Sequence, residues 1–218
     1  MERTHLNLDA ILSLESRKRA HLMNACGGFK SVCLIGTTDA NEQSNLAIFS
    51  SIFHIGSTPP LIAFVMRPDS VERHTLQNII DTRFYTINHI NESIYKKAHQ
   101  SSARYPKELS EFEAVGLSEE YKNNFFAPYV VESNIQMGVE FRERIDLKIN
   151  GTIIIIGEIQ ELYFPSETWC DDGFLDLEKA GSIACSGLDS YHKTIGLERL
   201  SYAKPNSPLH SIVNSYNK

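Results

Sequence analysis

The sequence predicts a mainly β fold, a closed or partly closed antiparallel barrel with peripheral α-helices, and three observations carry that prediction. Short runs rich in Val, Ile, Phe, Tyr and Thr recur at 31–38, 46–54, 61–66 and 84–90, each bounded by turn residues. A longer pair of apolar stretches flanks Asn150-Gly151. No series of strands alternating with long helices is present, as a doubly wound parallel sheet would require.

Taken in order, Leu8, Ile11, Leu12, Leu22 and Met23 recur at helical spacing against Glu15, Arg17, Lys18 and Arg19, which predicts a helix over 8–23 that ends at Gly27-Gly28. The four β runs follow, with short helices expected over 75–81 and 93–101 and one more turn of helix over 111–115, before Gly116. At 144–157 the pair Asn150-Gly151 tolerates the positive φ of a type I′ turn, so a hairpin is expected that pairs Ile149 with Thr152, Leu147 with Ile154 and Ile145 with Ile156. Ile153 and Ile155 then share a face with Asp146 and Lys148, and an apolar pair there implies a cover, by a helix or another subunit. No composition break divides the 218 residues, so one domain over 1–218 is expected, with an irregular appendage over about 165–218 containing a helix over 176–184.

The composition, 42% apolar and 22% charged, is that of an ordinary globule. With 27 acidic and 21 basic residues the net charge is -6, so no global attraction for nucleic acid or anionic lipid is expected. The longest apolar runs, 61–66 and 153–156, fall far short of the ~20 residues that cross a bilayer. Glu2, Arg3, His5 and Asp9 interrupt any secretory apolar core, which places the chain in the cytoplasm with reduced thiols. Cys26, Cys33, Cys170 and Cys185 lack zinc-site spacing, so they read as buried or half-buried thiols and no metal is expected. Zinc-protease, serine-hydrolase, Walker and Rossmann motifs are all missing.

Four segments carry candidate chemistry. Thr37-Thr38 and the run Asn45, Leu46, Ala47, Ile48, Phe49, Ser50, Ser51 mix polar and apolar groups in a way that suits a flat heteroaromatic ligand, its edge read by backbone groups and its body buried by Leu46 and Phe49. A plain hairpin satisfying its own turn is the other reading of the same residues. Arg67, Arg73, His74 and Thr75 surround a helix start whose N–H groups suit a phosphate, although Asp69 and Glu72 offset the arginines and solvated ion pairs fit equally. His99 is placed either to assist hydride transfer or to hold a loop. The stretches 187–192 and 199–205 form a polar, aromatic tail suited to wrapping a partner subunit or closing a pocket.

In this order the segments resemble the flavin reductase-like family, the FMN-binding split-barrel proteins that include flavoredoxins. The resemblance rests on Thr37-Thr38, the Asn-Leu-Ala-x-Phe-Ser-Ser run at 45–51, Pro59-Pro60-Leu61, Thr-x-x-Asn-Ile at 75–79, Ser110-Glu111-Phe112 and Tyr-Ala-Lys-Pro at 202–205. It implies a six-stranded antiparallel Greek-key split barrel, a homodimer, and one FMN per subunit near the dimer interface, with NAD(P)H as hydride donor. Taken with the candidate chemistry above, the expected cofactor-binding set is Thr37, Thr38, Asn45, Leu46, Ala47, Phe49, Ser50, Ser51, Arg67, Arg73, His74 and Thr75. Where many relatives have Lys-Asp-Thr this chain has Arg73-His74-Thr75, and the Ser-Arg-Pro-His segment of monooxygenase-serving reductases is absent. A non-catalytic flavin or haem carrier on the same barrel is the alternative.

Overall fold

The computed structural model describes residues 2–68 and 73–216. Asp69 and Glu72, weighed above against the arginines, lie outside the described residues. The expected N-terminal helix is two helices, α1 (Leu8–Ser13) and α2 (Ser16–Cys26). Leu14 leaves the helix with ψ 143°, and the Glu15 carboxylate accepts from the N–H groups of Arg17 and Lys18 at 2.9 and 3.0 Å, so a new N-cap restarts the helix.

The body consists of β1 (Lys30–Ser31), β2 (Cys33–Thr38), β3 (Ser44–Phe49), β4 (Ile52–Ser57), β5 (Pro60–Met66), α3 (His74–Thr82), β6 (Phe84–His89), α4 (Tyr95–Gln100), α5 (Glu111–Val115), β7 (Glu119–Glu120), β8 (Tyr129–Val130), β9 (Gln136–Asp146) and β10 (Ile153–Tyr163). The appendage adds β11 (Ala184–Ser186), β12 (Ser190–His192), β13 (Arg199–Leu200) and β14 (Ser211–Ile212).

The main sheet runs β3-β2-β6-β9-β10-β5-β4, every neighbour antiparallel. Its two edge strands, β3 and β4, are consecutive in the chain and separated only by Ser50-Ser51. The sheet therefore closes on itself through one strand bent at two serines, which, counted once, gives the expected six. The consecutive strands β5 and β6 are separated by the β9–β10 hairpin, a Greek-key crossing spanned by α3.

Strand alternation sorts the side chains into two cores. Cys33 and Ile35 of β2 join Phe64, Tyr85, Val139, Ile153 and Ile155 inside the barrel, where Leu76 and Ile79 of α3 also pack. On the other face Leu34 and Leu46 join Ile90, Ala98, Phe112 and Val130 beneath α4 and α5.

Three local expectations are corrected. The 145–156 hairpin pairs Ile145 with Ile154 and Asp146 with Ile153, two residues out of the expected register. Leu147 N–H donates to Thr152 O at 2.9 Å and Gly151 N–H to Leu147 O at 2.8 Å, and only Gly151 (φ 72°) takes positive φ, so four residues form the loop where a type I′ turn would need two positive φ values. A two-residue slip preserves the faces, and Ile153 and Ile155 are covered by the barrel interior itself while Ile154 and Ile156 lie half-buried outside. The helix expected over 176–184 is a single turn: Ala180 N–H reaches Asp176 O at 3.0 Å, and Gly181 (φ 77°) then ends it. Cys26 is exposed, whereas Cys33, Cys170 and Cys185 are buried. Among the described residues no helix is long and apolar enough to cross a membrane.

Candidate functional site

The β2–β3 pairing sets Thr37 opposite Asn45 and Gly36 opposite Leu46. Thr37, Asn45, Ala47 and Phe49 thus share the barrel-facing side, and Leu46 lies on the other. Helix α3 crosses the end of these strands, anchored by Leu76 and Ile79, and brings Thr75 and Asn78 to them. The Asn45 amide donates to Thr75 Oγ1 at 3.0 Å and to Thr37 Oγ1 at 3.2 Å, and the Asn78 amide donates to Thr37 Oγ1 at 3.1 Å. All four residues are buried, so this network locks the start of α3 onto β2 and β3.

Arg73 occupies the N-cap of α3 and provides no side-chain cap, which leaves the first-turn N–H groups without the usual side-chain acceptor. Its Nη2 makes a long contact to Pro68 O at 3.5 Å, which brings the chain beside Arg67 up to the helix start. Arg73 Nε is buried with no hydrogen-bond partner among the described residues. Arg67 is exposed and His74 half-buried. A shallow cleft of about 10 Å³ lies alongside, lined by Asp39, Asn45, His74, Asn78, Lys107 and Glu111 among others. N–H groups of Gln43 and Asn41 hold the Asp39 carboxyl below the usual carboxylate range, with Lys107 at 4.0 Å adding to the effect.

The other predicted residues are distributed around this centre. Thr38 Oγ1 lies 3.2 Å from Tyr121 OH. Leu46 is fully buried in the core beneath α5, so it contributes only backbone, and its N–H donates to Glu111 Oε2 at 3.0 Å. It does not bury a ligand body, since alternation turns its side chain to the opposite face. Phe49 packs edge-on against Phe64 with centroids 4.9 Å apart. Ser50 hydrogen-bonds Cys185, and Ser51 O accepts from Val65 N–H at 2.9 Å. His99 is not drawn into the network: its Nδ1 lies 2.8 Å from Tyr191 OH, which ties α4 to β12. Asn78 and Glu111 were not among the predicted site residues, although both stood within the quoted motifs, Asn78 three residues after Thr75 on the same helix face.

A family model described as Flavin reductase like domain matches residues 26–177. A split-barrel protein of Shewanella frigidimarina NCIMB 400, assigned as a flavin reductase, is 48% identical and superposes with TM-score 0.89 over 92% of this chain and 100% of that one. Nitrilotriacetate monooxygenase component B from Bacillus cereus shares the fold with TM-score 0.79 at 19% identity, covering 92% of this chain and 100% of its own. An uncharacterized protein of Deinococcus radiodurans is 26% identical over 94% of this chain and 93% of its own length.

Proposed function

The chain belongs to the flavin reductase-like domain family, and on that premise we propose that it is an FMN-binding oxidoreductase that takes hydride from NAD(P)H and hands the electrons to a separate acceptor. The observation supporting this most is the meeting of a helix start with no side-chain cap from its N-cap residue, a buried Arg73 Nε with no partner among the described residues and the Thr75 hydroxyl at the end of β2 and β3. Cation, N–H donors and hydroxyl together fit a phosphomonoester. Arg73, Thr75 and the first turn of α3 would hold the phosphate, with Arg67 and His74 beside them, and Asn45 to Ser51 would border the ring. When bound, the flavin supplies a two-electron acceptor for hydride.

The chain's own contribution is positional. The Thr37–Asn45–Thr75–Asn78 network fixes the phosphate end relative to the strands, and Glu111, by holding Leu46 N–H, pins α5 along β3. No acid, base or nucleophile is required, because the rate comes from orientation of donor against acceptor. The cleft of one chain, about 10 Å³, is far below the ~300 Å³ of ordinary ligand pockets, so a second copy completes the wall around the ring in a homodimer.

Two measurements test this reading. Arg73→Ala should weaken FMN binding about tenfold or more, measured by fluorescence quenching, while riboflavin, lacking phosphate, binds the variant and the parent alike. FMN affinity unchanged from the parent in both Arg67→Ala and Arg73→Ala would remove the phosphate from this helix start. Steady NADH or NADPH oxidation at catalytic enzyme concentration is expected, and flavin retention without such oxidation would reduce the protein to a carrier.

A further inference from the structure

Two parts of the molecule have defined shape and no core. Helices α1 and α2 bury no residue and expose Leu8, Leu12 and Met23, with Leu6 and Phe29 exposed at their flanks. The C-terminal arm, 193–213, exposes Ile195 (89%), Leu197 (99%), Tyr202 (88%) and Val213 (87%) almost completely, and Leu200 and Leu209 by about half. Its shape is fixed from both ends. Gly196 N–H donates to Glu178 Oε2 at 2.9 Å, Arg199 pairs with Asp172, Ser201 N–H reaches His210 O at 2.8 Å across the β13–β14 ribbon, and Tyr216 OH donates to Asp176 at 2.7 Å. An isolated two-stranded ribbon is marginal in water, and one presenting its apolar residues to solvent needs a surface to cover them.

That surface is present on the same chain. A groove of about 650 Å³ runs between the helix pair and the β11–β12 turn, lined by Leu6, Leu14, Leu22, Ala25 and Gly187 with Lys18 at its side. The arm does not fill its own groove, as the exposure of Ile195 and Leu197 shows, and its anchors to 172–178 hold it there. Strand β12 leads from the groove, at Ser190, directly into the arm at Lys193. An exposed apolar arm rooted at the rim of an apolar groove offers both halves of a self-complementary contact, which a two-fold axis satisfies twice.

We infer that two copies of this chain exchange C-terminal arms, Ile195 and Leu197 of each entering the groove between α1–α2 and β11–β12 of the other. At roughly 100 Å² for a fully exposed apolar side chain, the exposed arm and helix residues named above amount to about 740 Å² per copy, close to the ~800 Å² that each partner contributes to a standard stable interface. This rests on the two-copy reading of the preceding section and specifies which surfaces meet.

The test uses the full chain. Ile195→Glu with Leu197→Glu should raise the dimer dissociation constant at least about hundredfold in sedimentation equilibrium, with far-ultraviolet circular dichroism unchanged. In a Cys26→Ser background, Ala25→Cys and Leu197→Cys are then made in separate chains, mixed and oxidised. A covalent dimer containing one chain of each kind is expected. A dimer that keeps its dissociation constant in the glutamate variant, or chains that fail to cross-link on mixing, would overturn the arm exchange and leave the two-copy reading standing. A parent protein that is monomeric at tens of micromolar would overturn both.

Discussion

Gly36→Ala is expected to destabilise the protein by about 3 kcal/mol or more. A Cβ on Gly36 would stand 2.3 Å from Pro128 O and 2.7 Å from Thr86 Oγ1. Those two atoms are themselves hydrogen-bonded, Thr86 Oγ1 donating to Pro128 O at 2.6 Å, so the methyl would enter a buried hydrogen bond. Neither side yields easily. Thr86 is fully buried and accepts from the Asn88 amide at 2.8 Å, while the segment after Pro128 is held by Val130 N–H donating to Asn88 Oδ1 at 3.0 Å. The added methyl must push Pro128 off the sheet or break the bond and leave buried polar atoms unpaired, each costing about 1–3 kcal/mol. Thermal unfolding should show a fall in Tm of about 6–12 °C for a chain of this size. Gly27→Ala, whose Cβ would meet only Asn24 O at 3.5 Å, serves as the control and should stay within about 1 kcal/mol. Equal melting temperatures for the two variants would contradict the packing at Gly36.

Acid should weaken the molecule through His89. Burial lowers its pKa from 6.5 to about 4, and its Nδ1 lies 2.9 Å from Ser182 Oγ, where the barrel meets the appendage. Between those two values the unfolded chain holds a proton that the folded chain does not, so stability falls as the pH drops from about 6.5 to about 4 and this contribution is flat below. The full linkage is about 3 kcal/mol at most, an upper bound because the residue keeps some exposed surface. Urea titrations across that range should show the decline in the parent and a shallower one in His89→Gln. Parallel curves for the two proteins would exclude His89 as the source.

Much of the site was legible because it is written in short segments. Asn45 and Thr37 are joined by a tight β2–β3 connection, and Thr75 and Asn78 sit one helical turn apart, so residue types and spacing already put amides and hydroxyls together. The position of Leu46 was also readable in principle: if Thr37 and Asn45 share a face, alternation turns Leu46 to the other. What short-range pattern does not carry is which distant segment closes a site. Glu111 reaches Leu46 across 65 residues, and His99 is taken by Tyr191 across 92. The same holds for the fold. Strand runs and α5 were plain, yet the bend at Ser50-Ser51 that closes the barrel is visible only once β3 and β4 are seen as opposite edges of one sheet. The 145–156 hairpin slipped by two residues because Asn150 turns the chain with its side chain, Oδ1 accepting from Thr152 N–H at 3.1 Å, and does not adopt positive φ.

The visible spectrum of the full chain, loaded with FMN, freed of unbound flavin by gel filtration and then mixed anaerobically with NADH or NADPH, addresses flavin reduction most directly. The expected result is flavin absorbance travelling with the protein and bleaching on addition of at least one nicotinamide. Protein that emerges colourless after loading, or yellow protein that neither nicotinamide bleaches, would contradict it.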